Sequence, residues 1–366
     1  MKVLHLNAGS ETGGGMYHIL GLMKEFKDKQ FILGVMEQGE LLQRAKQLGI
    51  KTVHFSSSSK LSIPLIKKMI SFIKQEKITC IHSHGPRANV YTSILKKMLP
   101  FQWVVTIHSD PFLDFMEKGT YGKLLSRINM NAVKNANKLI AISQPFKDCL
   151  IDAGIDENKI ITTLNGIDFK QRVKNIYKKR DFGINADEFI FLMVARLEKV
   201  KGHQFAIKAF SEILKRNSKC HLMLAGDGRL YNQLKKMVFE LGIEKNVHFL
   251  GYRKDVQHLY KIADVTLLTS LSESFPLVLL ESAKAKTPVI SSDVGEVNKL
   301  IVNNGVGWIV KPANTMEIIA AMKDALFFHK QGKLSLIGEK LYQHASKKFT
   351  LEIFAENIYN VYRGLN

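Results

Sequence analysis

Cysteine is scarce in this chain: Cys80, Cys149 and Cys220 are the only three in 366 residues. So widely separated, they give neither a disulfide framework nor the paired spacing of a cysteine zinc site, and they suit a reducing compartment. Long apolar runs are missing too. Nothing approaches the roughly 18 apolar residues of a membrane span, and the apolar stretch at 1–7 is too short for a secretory signal, so export by that route is not expected. No Asp-x-Asp occurs anywhere. Acidic residues are outnumbered, 33 against 53 Lys and Arg, for a formal net charge of +20. Such an excess points to nucleic acid, an anionic membrane surface or an acidic substrate. The basic residues are spread over both halves without a recognised nucleic-acid module, which weighs against nucleic acid. What is present is 46% hydrophobic and 23% charged, a composition for a soluble globular protein with two cored domains.

The pattern along the chain is strand, helix, strand. A strand at 2–7 leads into the glycine-rich loop 8–15 and a helix at 16–26. Strands at 31–36, 51–55, 78–82, 103–108, 138–143 and 160–165 then alternate with helices at 41–48, 63–75, 87–97, 121–136 and 145–153. Alternation of this kind predicts a parallel sheet covered by helices on both faces. The loop 8–15 is not G-x-G-x-x-G, and no ribose-binding acid follows the second strand, so a dinucleotide site is discounted. Residues 168–187 are charged and aperiodic and read as a connection between domains. The rhythm then restarts, with strands at 189–195, 220–225, 247–250, 263–269 and 288–291 and helices at 202–216, 230–241, 255–263, from Pro276 onward, and at 315–328. The fold class expected is therefore α/β, two doubly wound Rossmann-like domains facing a cleft. The first spans 1–170 and the second 171–349.

The stretch 271–283, Leu-Ser-Glu-Ser-Phe-Pro-Leu-Val-Leu-Leu-Glu-Ser-Ala, carries the most specific chemistry. An apolar strand ends, and Pro276 suits the first turn of the helix that follows. The first-turn amides of Leu277 and Val278 then point outward with the positive end of the helix dipole, an arrangement that binds phosphate without side chains. Glu273 lies before the helix and Glu281 roughly 7–9 Å further along its axis at 1.5 Å per residue, so the two can hold different parts of one extended anionic ligand. Ligands of doubly wound sheets bind at the carboxyl ends of the strands, and the informative loops of both halves are strand-to-helix loops.

Taken together, Ala195-Arg-Leu-Glu-Lys-Val-Lys-Gly202, Ala225-Gly-Asp-Gly228, Ala263-Asp-Val265, Glu273 to Glu281 and Ala283-Lys-Ala-Lys-Thr-Pro-Val-Ile290 resemble the retaining glycosyltransferases of the GT-B fold, family 4. The glycine-rich loop, His82-Ser-His-Gly85, Thr106-Ile-His108 and Asn165-Gly-Ile-Asp168 extend the resemblance to the first half. It implies a nucleotide-sugar donor, a UDP-sugar, and transfer of a hexose or N-acetylhexosamine to a hydroxyl of a glycan or lipid-linked acceptor in cell-surface polysaccharide synthesis. It also implies that the last helix, at about 350–363, crosses back to the first domain, which thus gains 350–366. On this reading Arg196 and Lys201 neutralise the leaving diphosphate. Glu281 accepts from the ribose hydroxyls, and Glu273 faces the transferred sugar. His108 meets the sugar or its phosphate, with His82 and His84 as weaker candidates that can equally cap a strand end and are too few for a metal site. Gly14 and Gly15 approach the diphosphate or acceptor, Asn165 lines the hinge side of the cleft, and Gly226, Ser274, Phe275, Leu277 and Val278 complete the donor site. No cofactor or metal is expected. Retention of configuration comes with the resemblance alone. No dedicated nucleophile stands out, which favours a front-face route in which the leaving phosphate oxygen helps deprotonate the incoming hydroxyl.

Other readings differ by class: a sugar-nucleotide epimerase or a phosphorylase on the same fold, or a non-catalytic polyanion-binding protein. Turnover of the donor alone, without acceptor, separates the epimerase. The segment 60–97 is the densest basic stretch, with Lys60, Lys67, Lys68, Lys74, Lys77, Arg87, Lys96 and Lys97 against Glu76. Its helix at 63–75 is amphipathic, the apolar half formed by Ile63, Leu65, Ile66, Met69, Ile70, Phe72 and Ile73. Reversible attachment of the first domain to an anionic membrane through this stretch is expected, giving a cytoplasmic protein peripheral to the inner face.

Overall fold

The computed structural model describes residues 1–11, 13–26, 30–56, 62–108, 119–171 and 176–365. The chain divides into two compact units. One is Met1–Gly166 with Leu351–Asn366, and the other is Ile167–Thr350.

In the first unit seven strands form one parallel sheet in the order β3-β2-β1-β4-β5-β6-β7. They are β1 (Val3–Asn7), β2 (Phe31–Val35), β3 (Thr52–His54), β4 (Cys80–His84), β5 (Gln102–Ile107), β6 (Lys138–Ala141) and β7 (Ile160–Thr162). Helices α1 (Gly14–Glu25), α2 (Glu40–Gln47), α3 (Ile63–Gln75), α4 (Pro86–Lys96), α5 (Gly119–Val133) and α6 (Gln144–Asp152) make the connections. The order reverses between β1 and β4, and at such a reversal the loops leaving the two neighbouring strands diverge and open a place for ligand.

Local chemistry sets these elements. In α3 the Ser62 hydroxyl accepts from the Leu65 amide at 3.4 Å, proline occupies the first turn, and Leu65, Met69 and Ile73 fall on one stripe that is buried. Each such side chain contributes about 1.5–3 kcal/mol on leaving water. The apolar half of α3 is therefore mostly committed to the core, Ile63 excepted, and Lys67, Lys68, Lys74 and Lys77 are what this region offers to solvent. Lys60 lies outside the described residues. The returning helix Leu351–Arg363 buries Leu351, Phe354, Ala355, Ile358, Val361 and Tyr362 at helical spacing against α1 and the sheet of the first unit. Gly21 makes this approach possible, since a Cβ there would lie 2.8 Å from Leu351 Cδ1.

The second unit repeats the plan with six parallel strands, ordered β10-β9-β8-β11-β12-β13. They are β8 (Phe189–Val194), β9 (Cys220–Ala225), β10 (Val247–Gly251), β11 (Val265–Leu268), β12 (Val289–Ser292) and β13 (Trp308–Val310). Helices α7 (His203–Leu214), α8 (Tyr231–Glu240), α9 (Val256–Ile262), α10 (Leu277–Lys284), α11 (Thr315–Lys330) and α12 (Leu334–Lys348) flank them. Phe189, Phe191 and Met193 face one core and Ile190 and Leu192 the other, which is why β8 is an unbroken apolar run. Strand β13 and helix α12 were not read from the sequence. The reversal point here lies between β8 and β11, which pair directly.

Candidate active site

At the second unit's reversal point, the loop after β8 (195–202) and the loop after β11 (269–276) are tied together. The Thr269 hydroxyl donates to the Gly202 carbonyl at 3.1 Å, and the Leu271 amide donates to Val200 at 2.7 Å. A third loop, after β12, joins through the Glu296 amide, which donates to the Ser274 carbonyl at 3.1 Å. Glycine is required where these backbones meet. At Gly226, with φ 151°, a Cβ would lie 1.9 Å from the Ala195 carbonyl oxygen, and at Gly295, with φ 60°, 1.9 Å from that of Ser274. Gly226 thus serves by letting its loop close on Ala195 and Arg196. The Gly295–Glu296 contact was missed in the sequence, where Asp293-Val-Gly-Glu has no marker beyond one glycine.

The two glutamates share a design. Glu273 Oε1 accepts from Lys201 Nζ at 2.6 Å and from the Ser270 hydroxyl at 2.7 Å, with both partners of the ion pair largely buried. Glu281 Oε2 accepts from the hydroxyl of the buried Tyr260 at 3.1 Å. In each case the other carboxylate oxygen has no partner among the described residues and is open to a hydroxyl donor. Burial pushes the Glu281 carboxyl up to about 7, against the opposing effect of the Tyr260 hydrogen bond.

Three expectations need correction here. Pro276 is the residue before the helix rather than its first turn, so Leu277 and Val278 open α10, and their amides have no intrahelical acceptor. The Phe275 side chain is buried and packs on Phe349 with ring centroids 5.0 Å apart, which makes it core rather than donor surface. Arg196 is 71% exposed and pairs with Glu198 at 3.0 Å, while Lys201 is bound to Glu273, so the two cations are not equivalent. Ser274 acts through its backbone carbonyl.

At the first unit's reversal point the buried side chains of the sheet are neutral, with Glu11 at their edge accepting from Asn7 at 3.4 Å. Gly14 and Gly15 begin α1 instead of ending the preceding loop, with Gly13 before them at φ 64°. A Cβ on Gly15 would meet Glu11 Oε1 at 2.4 Å. On the sheet face covered by α1 and the returning helix, the apolar positions Val3, Cys80 and Val104 give way toward the strand ends to His5, Asn7, His82, His84 and Thr106. His82 and His84 are fully buried in the sheet and do not cap its end. His84 Nδ1 lies 3.0 Å from His108 Nε2, and His84 Nε2 lies 3.0 Å from His5 Nδ1. His108 is half-buried at the strand end. Asn165, expected on the hinge side, is buried, and its Oδ1 accepts from His18 Nδ1 at 2.9 Å. Burial lowers His5 to about 3 and His18 to about 4, and holds His82, His84 and His108 well below the usual histidine value, so all five are neutral near pH 7. His5 and His18 were not singled out in the sequence.

With both sets of loops described, the likeness to known proteins is decisive. The family model "Glycosyltransferase Family 4" matches residues 12–171, and "Glycosyl transferases group 1" matches 175–331. The chain belongs to the group 1, family 4 glycosyltransferases. This glycosyltransferase is 29% identical over 266 residues to the Escherichia coli UDP-Gal:alpha-D-GlcNAc-diphosphoundecaprenol alpha-1,3-galactosyltransferase, covering 68% of each chain. It is 25% identical to the N-acetyl-alpha-D-glucosaminyl L-malate synthase of Bacillus anthracis, over 82% of this chain and 80% of that one. The crystal structure of Anabaena HepE in complex with UDP and glucose has the same fold, at TM-score 0.86 and 22% identity over 100% of both chains. The glycosyltransferase takes its sugar from a nucleotide-sugar donor, and both of its units carry the GT-B type of parallel-sheet domain. Among the described residues no helix is long and apolar enough to cross a membrane.

Proposed function

We propose that this enzyme is a retaining transferase that moves a hexose or N-acetylhexosamine from a UDP-sugar to a hydroxyl of a glycan or lipid-linked acceptor in cell-surface polysaccharide synthesis. The observation that carries the reading is the pair of half-anchored glutamates flanking the N-terminus of α10. Lys201 reaches the diphosphate with the donors it does not use on Glu273, and the Leu277 and Val278 amides add the positive end of the helix. The open oxygen of Glu281 accepts from the ribose hydroxyls, and that of Glu273 accepts from the transferred sugar. Negative charge develops on the departing diphosphate, where these donors lower the barrier. One of its oxygens takes the proton of the incoming hydroxyl on the same face of the sugar, so configuration is retained. His108 donates to the sugar or its phosphate, and Arg196 swings from Glu198 to the diphosphate. Gly14 and Gly15 offer first-turn amides to the diphosphate or acceptor. No metal or cofactor is required, because fixed cations and amides neutralise the diphosphate.

The relatives support the substrate classes. The name of the E. coli enzyme specifies a UDP-sugar and a lipid diphosphate acceptor, and the Anabaena protein binds UDP. A lipid-linked acceptor suits attachment to the inner face of an anionic membrane through the exposed Lys67, Lys68, Lys74 and Lys77. Each such residue is worth about 1 kcal/mol near an anionic surface, and binding by charge needs no insertion of α3. Arg87, in contrast, is paired with Glu37.

The test is thermal shift and product formation with UDP-, GDP- and ADP-sugars. UDP-sugars should raise the melting temperature most, since a ligand bound to the native state stabilises it. A larger shift with GDP- or ADP-sugars would overturn the nucleotide assignment, and inverted product stereochemistry the mechanism.

A further inference from the structure

The buried histidines of the first unit form one unbranched line of hydrogen bonds. Thr106 Oγ1 lies 2.7 Å from His82 Nε2, and His82 Nδ1 lies 2.6 Å from the Tyr362 hydroxyl. That hydroxyl lies 3.1 Å from His5 Nε2, and the line continues through His5 Nδ1 and His84 to His108 Nε2 at 3.0 Å per link. Five links join six side chains, of which all but His108 are buried. The middle link comes from the returning helix, 357 residues along the chain from His5.

A neutral imidazole has one N–H and one bare nitrogen, and a hydroxyl gives one proton and accepts through its lone pairs. Each link consumes one proton, so the line can be satisfied in only three ways. In one, every proton points toward His108: Thr106 donates to His82, His82 to Tyr362, Tyr362 to His5, His5 to His84 and His84 to His108 Nε2. His108 then carries its own proton on Nδ1. In the other two His108 is protonated on Nε2 and a buried hydroxyl proton is left with no acceptor among the described residues: that of Thr106 when every proton points away, or that of Tyr362 when its oxygen accepts from both His82 and His5. A buried donor left unmade costs roughly 1–3 kcal/mol, which decides for the first arrangement. His108 Nδ1 itself has no partner among the described residues.

We propose that Thr106, His82, Tyr362, His5 and His84 are positioning residues that lock His108 in its Nδ1–H tautomer, so that it meets the donor as a neutral hydrogen-bond donor and never as an acceptor. The clause about the donor rests on the functional reading above, whereas the lock itself does not. The returning helix thereby acts on the site, because removing the Tyr362 hydroxyl cuts the line in two. His18 stands beside the line, not in it. With Nδ1 donating to Asn165, its Nε2 is buried without a partner, and its ring meets that of His108 edge-on at 4.5 Å. His18, His84 and His108 bring ring nitrogens within 4.8 Å of one another. A metal held there would need a bare Nδ1 on His84, and so reverses the line.

The experiment is nitrogen NMR of the full chain labelled with [15N]histidine, in which two-bond correlations report which ring nitrogen carries the proton. Wild type should show His108 protonated on Nδ1 at pH 7. Thr106→Val, nearly isosteric, removes the terminal donor and with it the bias, because His82 Nε2 is then left unpaired whichever way the line runs, so His108 should become a mixture of tautomers. Tyr362→Phe should leave a mixture of tautomers. Both variants should bind UDP as wild type does and lose about twofold in kcat, the share of molecules left in the wrong tautomer of an even mixture. A His108 that keeps its Nδ1 proton in both variants overturns the lock, as does stoichiometric zinc retained by the purified enzyme with His108 protonated on neither bridging nitrogen. A shifted tautomer with unchanged kcat keeps the lock and removes His108 from the donor.

Discussion

The two units build the same device at the same topological place and fill it with opposite chemistry. Between β8 and β11 the loops carry Lys201 and Glu273, held by glycine-lined backbone contacts, and α10 carries Glu281, with one oxygen of each glutamate left open. Between β1 and β4 the side chains within the sheet are neutral, buried and bonded to one another as far as His108. The difference teaches that the parallel-sheet reversal supplies position only. A diphosphate needs fixed charge at an accessible surface, whereas fixing the tautomer of one imidazole needs a dry wall of groups that cannot ionise.

The largest effect should come from removing the charge proposed to face the reacting sugar. Glu273→Gln keeps the shape and should lower kcat by about 10²–10³, with little change in donor KM, the usual scale for a preorganised electrostatic contact. Steady-state kinetics decide it, and a rise in KM alone would place Glu273 elsewhere on the donor.

Acid should next separate the units. His5, His18, His82, His84 and His108 have folded pKa values below their unfolded value of about 6.5, so below that pH the unfolded chain binds protons that the fold refuses. Stability is then unaffected above about pH 6.5 and falls as pH drops below it, by up to about 1.4 kcal/mol per pH unit for each histidine. Glu281 has the opposite sign. Its folded value is raised to about 7, so the stability it contributes is present at low pH and lost as pH rises through 7. Urea midpoints at pH 7.5, 6 and 5 should therefore decline for the first unit, and a flat profile would contradict the neutral, buried histidines.

Smaller effects test what the charged site does without. Activity should persist in excess EDTA, and a loss restored by magnesium or manganese would show that Lys201, Arg196 and the α10 amides do not suffice. Binding to anionic vesicles should weaken several-fold when Lys67, Lys68, Lys74 and Lys77 become glutamine and should fall with salt. Equal recovery on neutral vesicles would assign the acceptor to solution.

Much of this was legible in the sequence, for reasons that also mark where legibility ends. Strands such as β8 and the strand-to-helix unit ending in α10 announce themselves through local apolar runs and a proline, and Glu273, Glu281 and Lys201 lie in those same short stretches. Strand β13 is three residues long, too short for any period to show. Tyr260 was not singled out in the sequence, because its hydroxyl meets Glu281 only through tertiary packing. His5 lies in an apolar strand and nothing local marks it. It becomes part of a line only when parallel pairing sets it against His82 and Asn7 against His84. Phe275 misled in the opposite direction, since a motif position near the donor can still point into the core.

Calorimetric titration of UDP, without sugar, into wild type, Glu273→Gln and Glu281→Ala tests the division of labour most directly. Glu281→Ala should weaken UDP binding about 10–100-fold, the loss of one or two charged hydrogen bonds. Glu273→Gln should leave it unchanged. Wild type should also release a proton on binding near pH 7, seen as a dependence of the measured enthalpy on buffer, because ribose hydroxyls favour the ionised form of a carboxyl that burial holds at about 7. Equal weakening in both variants, or binding without proton release, would contradict the assignment of Glu281 to the nucleoside and Glu273 to the sugar.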